Sequence, residues 1–208
     1  MLATTLLTFG AAVVSAAAVA TIPDVSHLPL APFKWHGVLE EGGPVVTLEG
    51  NHHDIHNTIQ RANPSWLHDN STHIGVAAHN ITDTIAKRSN RVNQACDQPI
   101  FTVDNDNHWG RASAIRNGLD YIRGFGNAQC EVVPKSCSRF SCSYNSAILM
   151  CNDTPNPVII PCALLAQNAQ FIYNDCVHNW ENMVEGQAFY INPSYNVLVR
   201  GTIQGKGC

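Results

Sequence analysis

The fold turns on one stretch, Cys162-Ala163-Leu164-Leu165-Ala166-Gln167-Asn168-Ala169-Gln170-Phe171-Ile172-Tyr173-Asn174-Asp175-Cys176. Cys162, Leu165, Ala169, Ile172 and Cys176 recur every three or four residues, which lays them along one face of a helix. At a rise of about 1.5 Å per residue the two cysteines lie about 21 Å apart. A disulfide requires Cα atoms within about 7 Å, so these two cannot bridge each other. Each must reach a different element, and the helix is expected to be pinned to a sheet at both ends.

The sheet is sought on either side. Residues 129–133 read as a strand. Phe140, Cys142 and Tyr144 alternate with polar neighbours, and 147–151 is an apolar run, with Asn145-Ser146 able to turn between them. Cys142 and Cys151 are placed to pair across that hairpin. Pro155, Pro157 and Pro161 punctuate the next loop. Residues 187–191 and 195–203 bracket Asn192-Pro193-Ser194 as a terminal hairpin, and Cys208 is expected to be tied down, with Cys96 as its partner. A first helix over 109–123 carries the stripe Trp109, Ala112, Ile115, Leu119 and Ile122 and ends at Gly124-Phe125-Gly126-Asn127. The order helix, strands, helix, strands defines an α+β domain: an antiparallel sheet with two helices packed on one face.

Further out, the chain divides at Lys87-Arg88. All eight cysteines, Cys96, Cys130, Cys137, Cys142, Cys151, Cys162, Cys176 and Cys208, follow this pair, and none precedes it. Residues 1–20 are small and apolar and end Ala18-Val19-Ala20, the pattern of a secretory signal with its cleavage site. An even cysteine count in a secreted chain reads as a disulfide framework. The close Cys-x-x-Cys knuckles of a zinc site are missing. Lys87-Arg88, followed by polar Ser89-Asn90, is the substrate of a late-secretory processing protease. The expected division is signal 1–20, pro-domain 21–88 and a mature cysteine-rich domain 89–208. Within the pro-domain, 35–39 and 45–48 read as strands around Glu40-Glu41-Gly42-Gly43-Pro44. Asn51 caps a helix over 53–62, and Pro64 stops it. A strand-strand-helix unit of this size needs a partner surface, and the mature domain is the expected one, with the unit acting as a folding aid or a mask. Asn70, Asn80 and Asn152 open glycosylation sequons.

Charge narrows the partners. The mature part carries about −1 and the pro-domain about −3, out of a formal −4 for the chain. That balance does not attract nucleic acid or an anionic membrane. No apolar run after the signal is long enough to span a bilayer.

Eight of the ten histidines fall in the pro-domain, and His52, His53 and His56 cluster there. A solvated helix start accounts for them. A pH sensor also does, because imidazoles that charge as the secretory route acidifies repel one another and loosen a mask. His52 and His56 share the i,i+4 spacing of zinc ligands, but His53 stands where a zincin needs its Glu. Asp104-Asn105-Asp106-Asn107-His108 opens like a calcium loop, yet Ile115 occupies the position of the closing Glu, so an EF-hand is excluded. In the mature part His108 and His178, with Lys135 or Arg139, are the candidates for an acid–base pair around a phosphodiester. The serines of 137–143 lack a nucleophile elbow. No metal and no cofactor is expected.

Gly118-Leu119-Asp120-Tyr121-Ile122-Arg123, Cys142-Ser143-Tyr144-Asn145-Ser146-Ala147-Ile148 and Cys151-Asn152-Asp153 resemble a family of fungal small secreted cysteine-rich proteins. Gly186-Gln187-Ala188-Phe189 and Tyr195-Asn196-Val197 extend the resemblance towards Cys208. In element order, the helix 162–176 and the final hairpin are similar to the smut-virus killer toxins, without their basic functional residues. The resemblance implies an effector-like, virulence-associated protein. It would be secreted as a monomer into the host apoplast or carried into host cells, and bind a host (plant) protein or cell-surface target after processing. The alternatives are an antimicrobial or killer-toxin-like protein against competing microbes, and a small secreted hydrolase such as a ribonuclease. The resemblance transfers no catalytic residue.

Overall fold

The computed structural model describes residues 28–40, 42–64, 91–96, 109–126, 128–178, 180–202 and 208. The signal and its cleavage site, Lys87-Arg88, Asn70, Asn80 and His108 lie outside the described residues.

The fold is α+β, as the element order indicates. Its strands are β1 (Phe33–Val38), β2 (Val45–Gly50), β3 (Arg91–Cys96), β4 (Gly110–Arg111), β5 (Gln129–Val132), β6 (Ser136–Ser143), β7 (Ser146–Asn152), β8 (Val158–Pro161), β9 (Val177–His178), β10 (Met183–Val184), β11 (Gly186–Tyr190) and β12 (Tyr195–Gly201). Its helices are α1 (His52–Ala62), α2 (Ala112–Arg123) and α3 (Cys162–Cys176). They form a five-stranded sheet in the order β3-β11-β12-β7-β6, a four-stranded sheet in the order β2-β1-β5-β8, and a short sheet in the order β4-β10-β9. All pairings between named strands are antiparallel.

One row of residues shows how the helices sit. Cys96, Gly186, Val199, Ile148 and Ser141 are successive cross-strand partners across the five-stranded sheet. A Cβ on Gly118 of α2 would fall 2.3 Å from Ser141 Oγ and 3.3 Å from Ile148 Cδ1. At the other end of the row, a Cβ on Gly186 would fall 2.5 Å from Ile172 Cγ2 of α3. Both helices therefore press on the same face, and a glycine at each contact permits the approach. Ile115, Leu119 and Ile122 of α2 are buried there with Leu165, Ala169 and Ile172 of α3.

The four bridges are Cys96–Cys176, Cys130–Cys162, Cys137–Cys151 and Cys142–Cys208. Cys162 and Cys176 do pin the two ends of α3, one to β5 and the other to β3. Two expected pairings are corrected. The hairpin turn lies at Tyr144-Asn145, both with positive φ (48° and 56°), a two-residue turn one position earlier than expected. That turn sets Cys142 opposite Ala147, and an irregularity between Arg139 and Ser141 shifts the register by one more residue, which brings Cys137 rather than Ser138 opposite Cys151. Cys142, left on the turn side of that irregularity, takes Cys208 in place of Cys96.

Three further boundaries differ. Residues 91–96, for which no element is expected from the sequence, form an edge strand on β11. Val158–Pro161, read as loop, pairs with β5. The helix from 109 begins only at Ala112, because Gly110–Arg111 pair with Met183–Val184.

The segment 28–64 lies against the cysteine-linked part of the chain, the partner surface expected for it, and does so by entering a sheet. β1 inserts between β2 and β5, with Lys34, Trp35 and His36 opposite Glu131, Cys130 and Gln129. Phe33, Trp35, Ile55 and Ile59 are at most 1% exposed and belong to the same core as Ile122, Phe125 and Phe140.

Candidate functional site

The seam where 28–64 meets the cysteine-linked body brings together most of the molecule's unusual side chains. Its strand half is built by β1. The Phe33 ring lies 4.2 Å from that of Phe140 and 6.3 Å from that of Phe125, centroid to centroid. Trp35, fully buried, stands opposite Cys130, whose bridge to Cys162 fastens β5 to the start of α3. Alternation along β1 sends Lys34 and His36 to the other face. There the buried Glu131 receives both: Lys34 Nζ lies 3.4 Å from Oε1, and His36 Nε2 donates to Oε2 at 2.7 Å. With Nε2 donating, the His36 Nδ1 of the neutral ring accepts from Thr47 Oγ1 at 2.9 Å. Before Ala31, the chain continues the seam by exchanging backbone bonds with Cys137: Ala31 N–H to the Cys137 carbonyl and Cys137 N–H to the Pro29 carbonyl, each 2.9 Å.

The helix half is built by α1. Asn51 caps it, accepting from the N–H groups of His53 and Asp54 at 2.9 and 3.1 Å. Ile55 and Ile59, four residues apart, face inward. That register turns the first helical turn towards α2 and β6 and sets the three histidines around a cleft of about 260 Å³. His52 Nε2 donates to the Cys142 carbonyl at 3.1 Å, and Tyr121 Oη donates to the His52 carbonyl at 2.8 Å. The His52 and His53 rings are 4.2 Å apart, and His56 stands 5.3 Å from the Tyr121 ring.

This setting disfavours a charge on His52. Burial lowers its pKa first and the neighbouring His53 second, with Arg139 adding to both. The Cys142 bond and Asp54 oppose them, and the result is about 4. Burial and His53 also push His56 down. Burial drives the Tyr121 phenol well above its ordinary range, so it stays a neutral donor.

Of the other sequence candidates, His178 and Lys135 have contacts of their own. His178 on β9 packs its ring edge-on against Trp109 at 4.9 Å, and its Nδ1 is 3.9 Å from Glu181. Lys135 donates to the Asp153 carbonyl. Among the described residues no group of three or more His, Cys, Asp or Glu is placed to hold a metal ion. Nor is any helix among them long and apolar enough to cross a membrane.

Asn152 is the one sequon asparagine among the described residues. It is fully buried, and its amide nitrogen donates to the carbonyls of Val132, Val133 and Asn156 at 3.2, 3.3 and 2.8 Å. Its Oδ1 accepts from Thr154 N and Oγ1. The sequon residues form a closed Asx-type turn that ties β7 to β5, with the amide nitrogen engaged by backbone carbonyls.

Glu131, Tyr121 and the Cys142 carbonyl were missed in the sequence. The i,i+2 spacing of Lys34 and His36 announces a charged strand face but not the strand that answers it. No protein family, no curated protein and no solved structure matches the chain.

Proposed function

We propose that this is a secreted, effector-like binding protein, made as a proprotein and cut after Arg88, that acts on a host target by contact rather than by catalysis. One observation carries the reading, namely the unequal covalent bonding of the two parts. Four bridges fasten β3 and β5 to α3, and β6 to β7 and Cys208, and none reaches residues 28–64. Cysteines all paired in this way belong to an oxidising compartment. They leave a body suited to persist outside the cell, with no thiolate to act as a nucleophile. Edge-on packing against Trp109 gives His178 a structural partner, which favours contact over chemistry for that residue.

Mass spectrometry of protein recovered from the medium tests the processing, since the expected product begins at Ser89. A secreted species still joined through the 88–89 peptide bond sinks it. Expression in host tissue, scored for cell death or immune suppression, tests the target. A nuclease assay in which activity is found and lost on His178→Ala would turn the reading into that of a hydrolase.

A further inference from the structure

We propose that residues 28–64 stay bound after the cut, so that the mature protein is a two-chain assembly with a cysteine-free strand-strand-helix subunit held noncovalently in a groove of the disulfide-linked body. The inference rests on the processing proposed above, but the groove itself is described independently of any cut.

Three features argue for retention. First, the segment enters the sheet rather than covering it. β1 has a hydrogen-bonded neighbour on each side, β2 from its own part and β5 from the body. Departure would leave β5 with an unpaired edge and open backbone groups. Second, the segment supplies core. Phe33 and Trp35 from β1 and Ile55 and Ile59 from α1 are at most 1% exposed, and their seat includes Phe125, Phe140 and the bridged Cys130. A protein that shed these side chains would open an aromatic groove to water. Third, the polar contacts at the rim are matched across the seam. Lys34 and His36 meet Glu131, and Tyr121 and the Cys142 carbonyl hold the two sides of His52. This combines strand addition with a helix laid in a groove, two ways in which proteins commonly bind separate peptides.

The test uses the full chain, folded and oxidised, with a recognition sequence for a site-specific protease inserted after Arg88 between flexible linkers. The cut is then assured whether or not the natural processing occurs. After cutting, size-exclusion chromatography at neutral pH and about micromolar concentration is expected to show both fragments in one peak. Denaturant without reductant is expected to separate them. Separate peaks in native buffer overturn the proposal, as does a pair that denaturant alone cannot part. Trp35→Ala, with its four bridges verified before the cut, is expected to raise the released fraction by about tenfold. Phe33→Leu serves as a milder variant and is expected to shift release in the same direction. Unchanged release in both overturns the assignment of these rings as anchors.

Discussion

The His52 ring donates from Nε2 to the carbonyl oxygen of Cys142 at 3.1 Å, across the seam between two parts of the chain that no disulfide joins. The contact needs only the neutral ring, and the surroundings oppose a charge. His53 and Asp54 lie on its own helix, His56 one turn on, Tyr121 on α2 and Arg139 on β6. Of these only Asp54 favours the cation.

Acid should therefore loosen the seam. The docked His52 titrates near 4 and the undocked ring near its ordinary 6.5, so the docked form binds fewer protons between those values. Its stabilising share is fully present above pH 6.5 and is lost as pH falls towards 4, by at most about tenfold in affinity per pH unit for one proton. On cut protein, the fraction of segment released in chromatography should rise over that window. In His52→Gln the rise should flatten. An unaltered pH profile in His52→Gln would remove the histidine from the mechanism.

Peptide mapping without reduction should recover linked peptides joining Cys96 to Cys176, Cys130 to Cys162, Cys137 to Cys151 and Cys142 to Cys208. Removing the buried Cys130–Cys162 bridge by double alanine substitution should cost about 2–5 kcal/mol in chemical denaturation. It should also weaken the seam, since Cys130 stands opposite Trp35.

Gly118→Ala should be destabilising by about 1–3 kcal/mol through overpacking. The new methyl group would meet Ser141 Oγ at 2.3 Å and Ser141 Cβ at 3.0 Å. Adding Ser141→Ala removes the first clash and leaves the second, so the double variant should recover part of the loss. Full additivity in a denaturation cycle would contradict the contact.

Asn152 should carry no glycan in the folded secreted protein, and a mass measurement of its peptide checks this. Asn152→Ala should cost about 1–3 kcal/mol or more, because the carbonyls of Val132, Val133 and Asn156 lose their donor. A glycosylated Asn152 in a protein with all four bridges formed would show that the turn is not closed.

How much of this was legible depended on range. The helix of 162–176 announced itself through spacing alone, and so did the rule that its end cysteines seek other partners. The Asn51 cap was readable because capping is local. The partner of Cys151 was not, because it depends on a turn shifted by one residue and on an irregularity near Phe140, which no composition rule marks. The strand at 91–96 was hidden by its polarity, since an edge strand with exposed positions lacks the alternation that reveals a half-buried one. The seam was hidden for a different reason. Lys34, His36 and Glu131 lie about a hundred residues apart, and only the order β1-β5 makes them neighbours.

Because no bridge crosses the seam, reduction and acidification act on different bonds. Reductant should reach Cys142–Cys208 and Cys96–Cys176 first, since Cys208 is exposed and Cys96 partly so, while Cys130, Cys162 and Cys151 are sealed at 0% exposure. None of those steps frees residues 28–64 directly, and protonation of His52 opens no sulfur bond. The molecule thus answers to two distinct chemical keys, which meet only at Cys130–Cys162, where Cys130 stands opposite Trp35. A sample's state of assembly would report the acidity it has met, and its count of intact bridges would report the redox conditions.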